Sequence, residues 1–421
     1  MTHLRSALLA SAALTTCLLG AEPATASPDF SQVPGTVVSY EPSPNPLRHL
    51  FDQVFKRGSF ISSPTLAVLP NGHYVAGHDL FRNGGKESPE GRGTTKVFRS
   101  TDRGRTWQQV AKLSQASWST LFWHRGALYL FGKTKAGSDI VIRRSRDEGR
   151  TWTTPRDASR GQLGPSGGTT PNTPVIHGGR LWIATGVRVW SAPVGADLLQ
   201  ASSWTRSGRP PTDKSYLNGR FTFWSEGQVV AAPAQGVFVL PKIWDRPFTA
   251  LLGFGRPNRR PSFDPAQDFV RLPGAEKKFG VRYDPVSNRF WALTNPVLKR
   301  HERDANVPWS VWRFWRKAVT PGLVRNAAAI YSSRDLRSWR FEQVFLYSRD
   351  VKHTGFQYLN FSIEGNDLLV VSRTAFKVGR HEPPRAHDSN LLTFHRVRDF
   401  RSRPADPYPR GSGLNASNGA P

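Results

Sequence analysis

Cysteine and methionine are nearly absent, at one residue each in 421. With Cys17 alone, neither a disulfide framework nor a Cys-based metal site can be built. Acidic residues are scarce, at 31 Asp+Glu against 58 Lys+Arg, for a formal net charge of +27. Such a surface favours anionic partners such as acidic glycans, cell-wall polymers or nucleic acid. No recognisable nucleic-acid module occurs, so nucleic acid is not expected. Long apolar runs are also missing. Ala7–Gly20 falls short of the ~20 residues that a bilayer requires. It follows Arg5 and precedes the small-x-small site Ala24-Thr25-Ala26. Met1–Ala26 therefore reads as a secretory signal peptide, and the mature chain as a secreted protein starting at Ser27, with no membrane span.

What is present is aromatic and β-like. Hydrophobic residues make up 38% of the chain, with 14 Trp and 25 Phe, which supplies a large core and excludes a wholly disordered chain. Residues 27–59, rich in Pro and Ser toward their start, read as an irregular N-terminal segment. From about residue 60 to 400, short alternating runs are separated by Gly and Asp-Gly turns, as in Thr65–Leu69, Ala127–Phe131, Arg180–Ala184 and Leu368–Ser372. That pattern predicts an all-β domain. The Pro-, Ser-, Gly- and Asn-rich residues 401–421 are expected to be disordered.

An internal repeat narrows the fold. Ser100-Thr101-Asp102-Arg103-Gly104-Arg105-Thr106-Trp107 matches Ser145-Arg146-Asp147-Glu148-Gly149-Arg150-Thr151-Trp152 at Ser, Asp, Gly, Arg, Thr and Trp. The offset, 145 − 100 = 45 residues, is the length of one four-stranded propeller blade. Ser333–Trp339 is a worn copy without the Gly, and Asp197–Trp204 a more degenerate one. In such a turn Asp accepts hydrogen bonds from the backbone that follows it, Gly supplies a positive φ, and Trp wedges between neighbouring sheets. These Asp residues are therefore structural staples.

This motif is the Asp box, and the chain resembles the sialidase-like β-propellers. The resemblance implies a single six-bladed β-propeller over residues 60–400, and a secreted exo-acting glycosidase that removes terminal, acidic sugars from glycans. Members of that family use a Tyr nucleophile with a Glu beside it, a carboxylic general acid and three Arg that clamp a substrate carboxylate. A neutral Tyr avoids the repulsion that a carboxylate nucleophile would meet, and Glu takes its proton.

By this resemblance Tyr358, in GFQYLNFSIEGNDLLVVSR, is the nucleophile. Glu226, set before an apolar run in TFWSEGQVVAAPAQG, is its partner. Asp79 at a strand end is the general acid, with Glu87 and Glu90 as alternatives. Arg325 and Lys242 occupy positions that resemble clamp residues, although Lys cannot make the bidentate fork of Arg. Ser62 stands where the family's first clamp Arg precedes a Pro, and Arg57 lies too early to replace it. His78, His353 and the run His387-Asp388-Ser389-Asn390 are further substrate-binding candidates. In residues 298–320, Trp309, Trp312 and Trp315 alternate with Arg303, Arg313 and Arg316, a pattern suited to sugar faces and acidic groups. No metal or other cofactor is expected. Two other functions fit the same residues: a non-catalytic glycan-binding propeller, and a polysaccharide lyase on the same scaffold.

Overall fold

A computed structural model describes residues 27–42, 59–82, 93–134, 139–165, 172–244, 246–302 and 320–421. The signal-peptide segment, Arg57, Glu87, Glu90 and residues 303–319, with their three Trp, lie outside the described residues.

Among the described residues the strands form six antiparallel sheets arranged as blades. The first consists of Ser59–Val68, Tyr74–Arg82, Thr94–Ser100 and Gln108–Ser114. The second runs from Ser117–His124 to Gln162–Gly164 and the third from Val175–His177 to Thr205–Arg206. The fourth pairs Trp224–Ala232, Gly236–Ile243 and Leu252–Phe254, with a small ribbon of Phe248–Ala250 and Phe269–Arg271 beside it. The fifth spans Gly280–Asp284 to Arg340–Tyr347. In each of these the first strand in sequence is innermost.

The sixth blade departs from the sequence reading. Gly355–Glu364, Asp367–Ala375 and Leu391–Val397 supply three strands, and the fourth is Thr36–Tyr40 from the N-terminal segment. Residues 36–40 of the segment read as irregular are therefore part of the propeller. Their strand closes the ring by pairing the start of the domain with its end, which removes a free sheet edge.

Six main clusters of buried side chains lie between neighbouring blades, one per seam. Ile61, Leu66, Phe98, Val371 and Phe394 fill the first–sixth seam, and Phe131, Ile142, Ile183 and Trp190 fill the second–third. Alternating positions face opposite seams, so each strand contributes to two cores.

The repeated turns join the third and fourth strands of the blades that carry them. Asp102 Oδ1 accepts from the Thr106 amide (2.9 Å) and Asp102 Oδ2 from the Thr106 hydroxyl (2.6 Å). Asp147 makes the same pair of bonds with Thr151 (2.9 and 2.6 Å). Ser100 Oγ and Ser145 Oγ accept from the Gly104 and Gly149 amides. At Gly104, φ is +87°, and a Cβ would lie 2.4 Å from the Phe394 ring. Glycine is required there on both counts. The indoles of Trp107, Trp152, Trp204 and Trp339 each donate to a carbonyl of their own turn and pack into a seam.

The tail from Arg401 is packed, contrary to the expectation of disorder. Arg401 grips Asp284 with two bonds (2.7 and 2.8 Å), the Val344 amide donates to Pro407 O, and Leu414 is buried in the fourth–fifth seam. Its polar composition hid these few anchors.

Candidate functional site

Four innermost strands carry a register shift near their N-terminal ends: at Ser62/Thr65, Ser117/Thr120, Ser225/Gln228 and Gln357/Asn360. Each shift holds one non-glycine residue at positive φ: Ser63 (+34°), Trp118 (+48°), Glu226 (+31°) and Tyr358 (+56°). Such a conformation costs about 1–3 kcal/mol per residue. A bulge re-aims a side chain that strict alternation would send into a seam. Two of the four are the residues assigned by resemblance as nucleophile and partner.

The structure brings those two together. Tyr358 Oη donates to Glu226 Oε1 at 2.9 Å, from strands of the sixth and fourth blades. Lys242 Nζ donates to the other Glu226 oxygen at 2.5 Å. Burial would raise the Glu226 pKa, but the charges of Lys242 and Lys278 and its hydrogen bonds prevail and bring it to about 2. Burial, reinforced by the Glu226 charge, raises that of Tyr358. The phenol keeps its proton at rest, shared with a carboxylate able to receive it.

Cations surround the phenol. The Arg373 guanidinium lies 4.9 Å from the Tyr358 ring centre, Lys278 Nζ 5.5 Å and the Arg325 guanidinium 6.0 Å. Arg325, only 4% exposed, donates to Gly322 O and to the Gln357 side chain. Burial lowers the pKa of Lys278 to about 8 and that of Arg373 to about 10. Four buried cations gathered near Glu226 repel one another, and an anion that joined them would relieve that repulsion.

Arg373 and Lys278 were not singled out from the sequence. Arg373 had a readable signal, a charge inside the apolar strand LLVVSRTA, which is the same kind of signal that marked Glu226. Lys278, in GAEKKFG, had none. The absence at Ser62 stands: its hydroxyl lies 3.3 Å from that of Ser63. Arg373 reaches this side of the hub from the adjoining blade, with its guanidinium 4.6 Å from the ring of Phe81 in the first blade.

Asp79 is buried, and desolvation outweighs its hydrogen bonds to raise its pKa to about 7. Thr95 Oγ1 donates to one oxygen (2.5 Å) and the Ser119 amide to the other (3.1 Å). The charges of both Glu226 and Asp79 act on Lys278 and favour its protonated form.

The remaining candidates divide. His387 borders the cluster: Arg373 donates to its carbonyl at 2.5 Å, and its ring Nδ1 donates to Asp388 at 2.8 Å. Asp388 also receives Arg385 (2.8 Å). His78 does not join. It is fully buried between Ser39 and Phe98, on the other side of its strand from Asp79. His353 is bonded to Pro383 O in the turn before the sixth inner strand. Asn390 braces the backbone of Phe376 with both its amide and its carbonyl. Among the described residues no three His, Cys, Asp or Glu gather as a metal site.

No family model matches the chain, and no curated protein does. Solved structures match it in fold. The α-L-arabinofuranosidase Arb93A of Fusarium graminearum, a mutant in complex with an iminosugar inhibitor, is 11% identical with a TM-score of 0.50, over 86% of this chain and 97% of that one. NanB, solved with Optactamide, is 10% identical with a TM-score of 0.50, over 86% and 70%. An α-L-arabinanase of Penicillium chrysogenum, complexed with arabinobiose, is 13% identical with a TM-score of 0.47, over 88% and 99%. In architecture the protein is a six-bladed β-propeller, the fold it shares with these structures.

Proposed function

We infer that the protein is a secreted, exo-acting glycoside hydrolase that releases a terminal acidic sugar from glycans. The observation that carries this is the buried hydrogen bond between Tyr358 and Glu226 within a ring of cations. Arg325 and Arg373 would receive the sugar's carboxylate, supported by Lys242 and Lys278. As Tyr358 Oη bonds to the anomeric carbon, Glu226 takes the phenolic proton. The bond from that carbon to the leaving oxygen breaks, and Asp79 protonates the oxygen. Water then attacks the same carbon and gives its proton to Asp79, while Tyr358 leaves and recovers its proton from Glu226. Export rests on residues 1–26, and N-terminal sequencing of the released protein should begin at Ser27.

One observation favours a non-catalytic glycan-binding propeller instead. Lys242 holds Glu226 so firmly ionised that it is a weak base. Turnover decides. Acidic and neutral aryl glycosides incubated with the mature protein should release the aryl group, and Tyr358→Phe should abolish release. Saturable binding without release would establish the binding reading.

A further inference from the structure

Among the described residues few large apolar side chains are exposed, and two of them stand together beside the hub. Phe223 is 49% exposed and Trp244 42%. Their rings are near-parallel, at 19°, with centres 6.0 Å apart. Phe223 immediately precedes the inner strand of the fourth blade, and Trp244 immediately follows the strand paired with it. The pair is joined to the cluster through one side chain. Lys242 Nζ lies 4.6 Å from the centre of the Trp244 ring and 2.5 Å from Glu226.

The exposure is built in. Phe221 and Trp224, on either side, turn inward and contact each other at 4.6 Å within a nest that includes Tyr216, Phe263 and Phe269. Thr222 Oγ1 donates to Trp244 O at 3.1 Å and ties the two segments together. Phe223 and Trp244 are thus left outward on a braced backbone, with little entropy to lose when a ligand covers them. Arg220, exposed at the same edge, has its carbonyl bonded by Arg246 Nε. An aromatic surface with cations beside it, joined through Lys242 to the charged cluster at the hub, suits a sugar ring: the C–H face stacks and the hydroxyls or acidic groups remain hydrated.

We propose that Phe223 and Trp244 form a stacking subsite for the second sugar of the glycan, the one linked to the unit held in the hub. The inference rests on the reading of the hub as a glycan site. The occupant is a sugar ring, because the shelf is continuous through Lys242 with the cation cluster that faces Tyr358. A chain entering the hub by its end passes over the shelf with its next residue.

The test is a glycan array of acidic and neutral mono-, di- and longer saccharides, read with the full mature chain and again in a Tyr358→Phe background, where ligands persist. Chains of two or more sugars should bind about tenfold or more tighter than the matching monosaccharide, a difference of about 1.4 kcal/mol. Phe223→Ala and Trp244→Ala should each remove most of that gain, and Phe223→Tyr and Trp244→Tyr should keep it. Thermal unfolding should be unchanged in all four, since both side chains are exposed. Equal binding of monosaccharide and longer chains, or a gain that survives both alanine variants, overturns the subsite. A gain lost in the alanine variants without hydrolysis by the wild type leaves the shelf standing and removes the hydrolase reading. Hydrolysis without the gain does the reverse.

Discussion

Asp147 in an outer turn and Glu226 at the hub are both held at a pKa of about 2, and both must overcome burial to reach it. They do so by different means. Asp147 draws its donors from its own turn, chiefly Thr151 and Ser145. Glu226 depends on Lys242 and Lys278 and on a phenol 132 positions away. The turn is closed upon itself and offers nothing to a ligand. The hub holds a movable proton and gathers Lys242, Lys278, Arg325 and Arg373 near the Glu226 carboxylate. A carboxylate satisfied by its own turn serves the fold, whereas one satisfied by distant charges can serve chemistry.

The sharpest way to break that contrast is to remove the phenol. Tyr358→Phe should lower kcat by about 1,000-fold or more, because it deletes the nucleophile and not merely a contact. The unfolding temperature should stay close to the wild-type value. Retained turnover would put Tyr358 on the same footing as Asp147.

The cations come next. Arg373→Met should raise KM for an acidic glycoside by about 10–100-fold, the loss expected for hydrogen bonds to a charged group. It should change KM little for a neutral one. Equal losses on both substrates would mean that Arg373 braces the sixth blade and does not read charge.

Protonation sharpens the contrast further. Glu226 is ionised above about pH 2. Asp79, raised to about 7, is protonated below that value and loses its proton above it. A general acid must start protonated, so kcat/KM should hold level up to about pH 7 and then fall about tenfold per pH unit. A basic limb absent through pH 9 would remove Asp79 from the mechanism.

The smallest effect belongs to the turns. Asp102→Ala and Asp147→Ala should lower the unfolding temperature by a few degrees with kcat unchanged. A selective loss of kcat would contradict their separation from the chemistry.

The turns were legible in the sequence because the donors to Asp102 and Asp147 lie within about four positions of each. The propeller followed from their spacing and its six blades from the family likeness, except for the closure of the ring. Thr36–Tyr40 pairs with Leu391–Val397 across almost the whole chain, and no local signal marks such a partner. At the hub, Tyr358 and Glu226 could be matched to hairpins of a known family. Arg373 and Lys278 matched no such pattern, and they were only two of 58 basic residues. The bulges that turn Tyr358 and Glu226 inward break alternation by position, not by composition, so the sequence pattern conceals them. His78 was misplaced for a related reason: beside Asp79 in sequence, it points to the opposite side of the strand.

Peptide mapping after exposure to a fluorinated glycosyl fluoride of an acidic sugar tests the Tyr358–Glu226 pair most directly, because the reagent slows release of the sugar from its nucleophile. The expected result is one sugar adduct per chain, on Tyr358, and none in Tyr358→Phe. An adduct on a carboxylate, or no adduct from a protein that does turn the parent glycoside over, would contradict it.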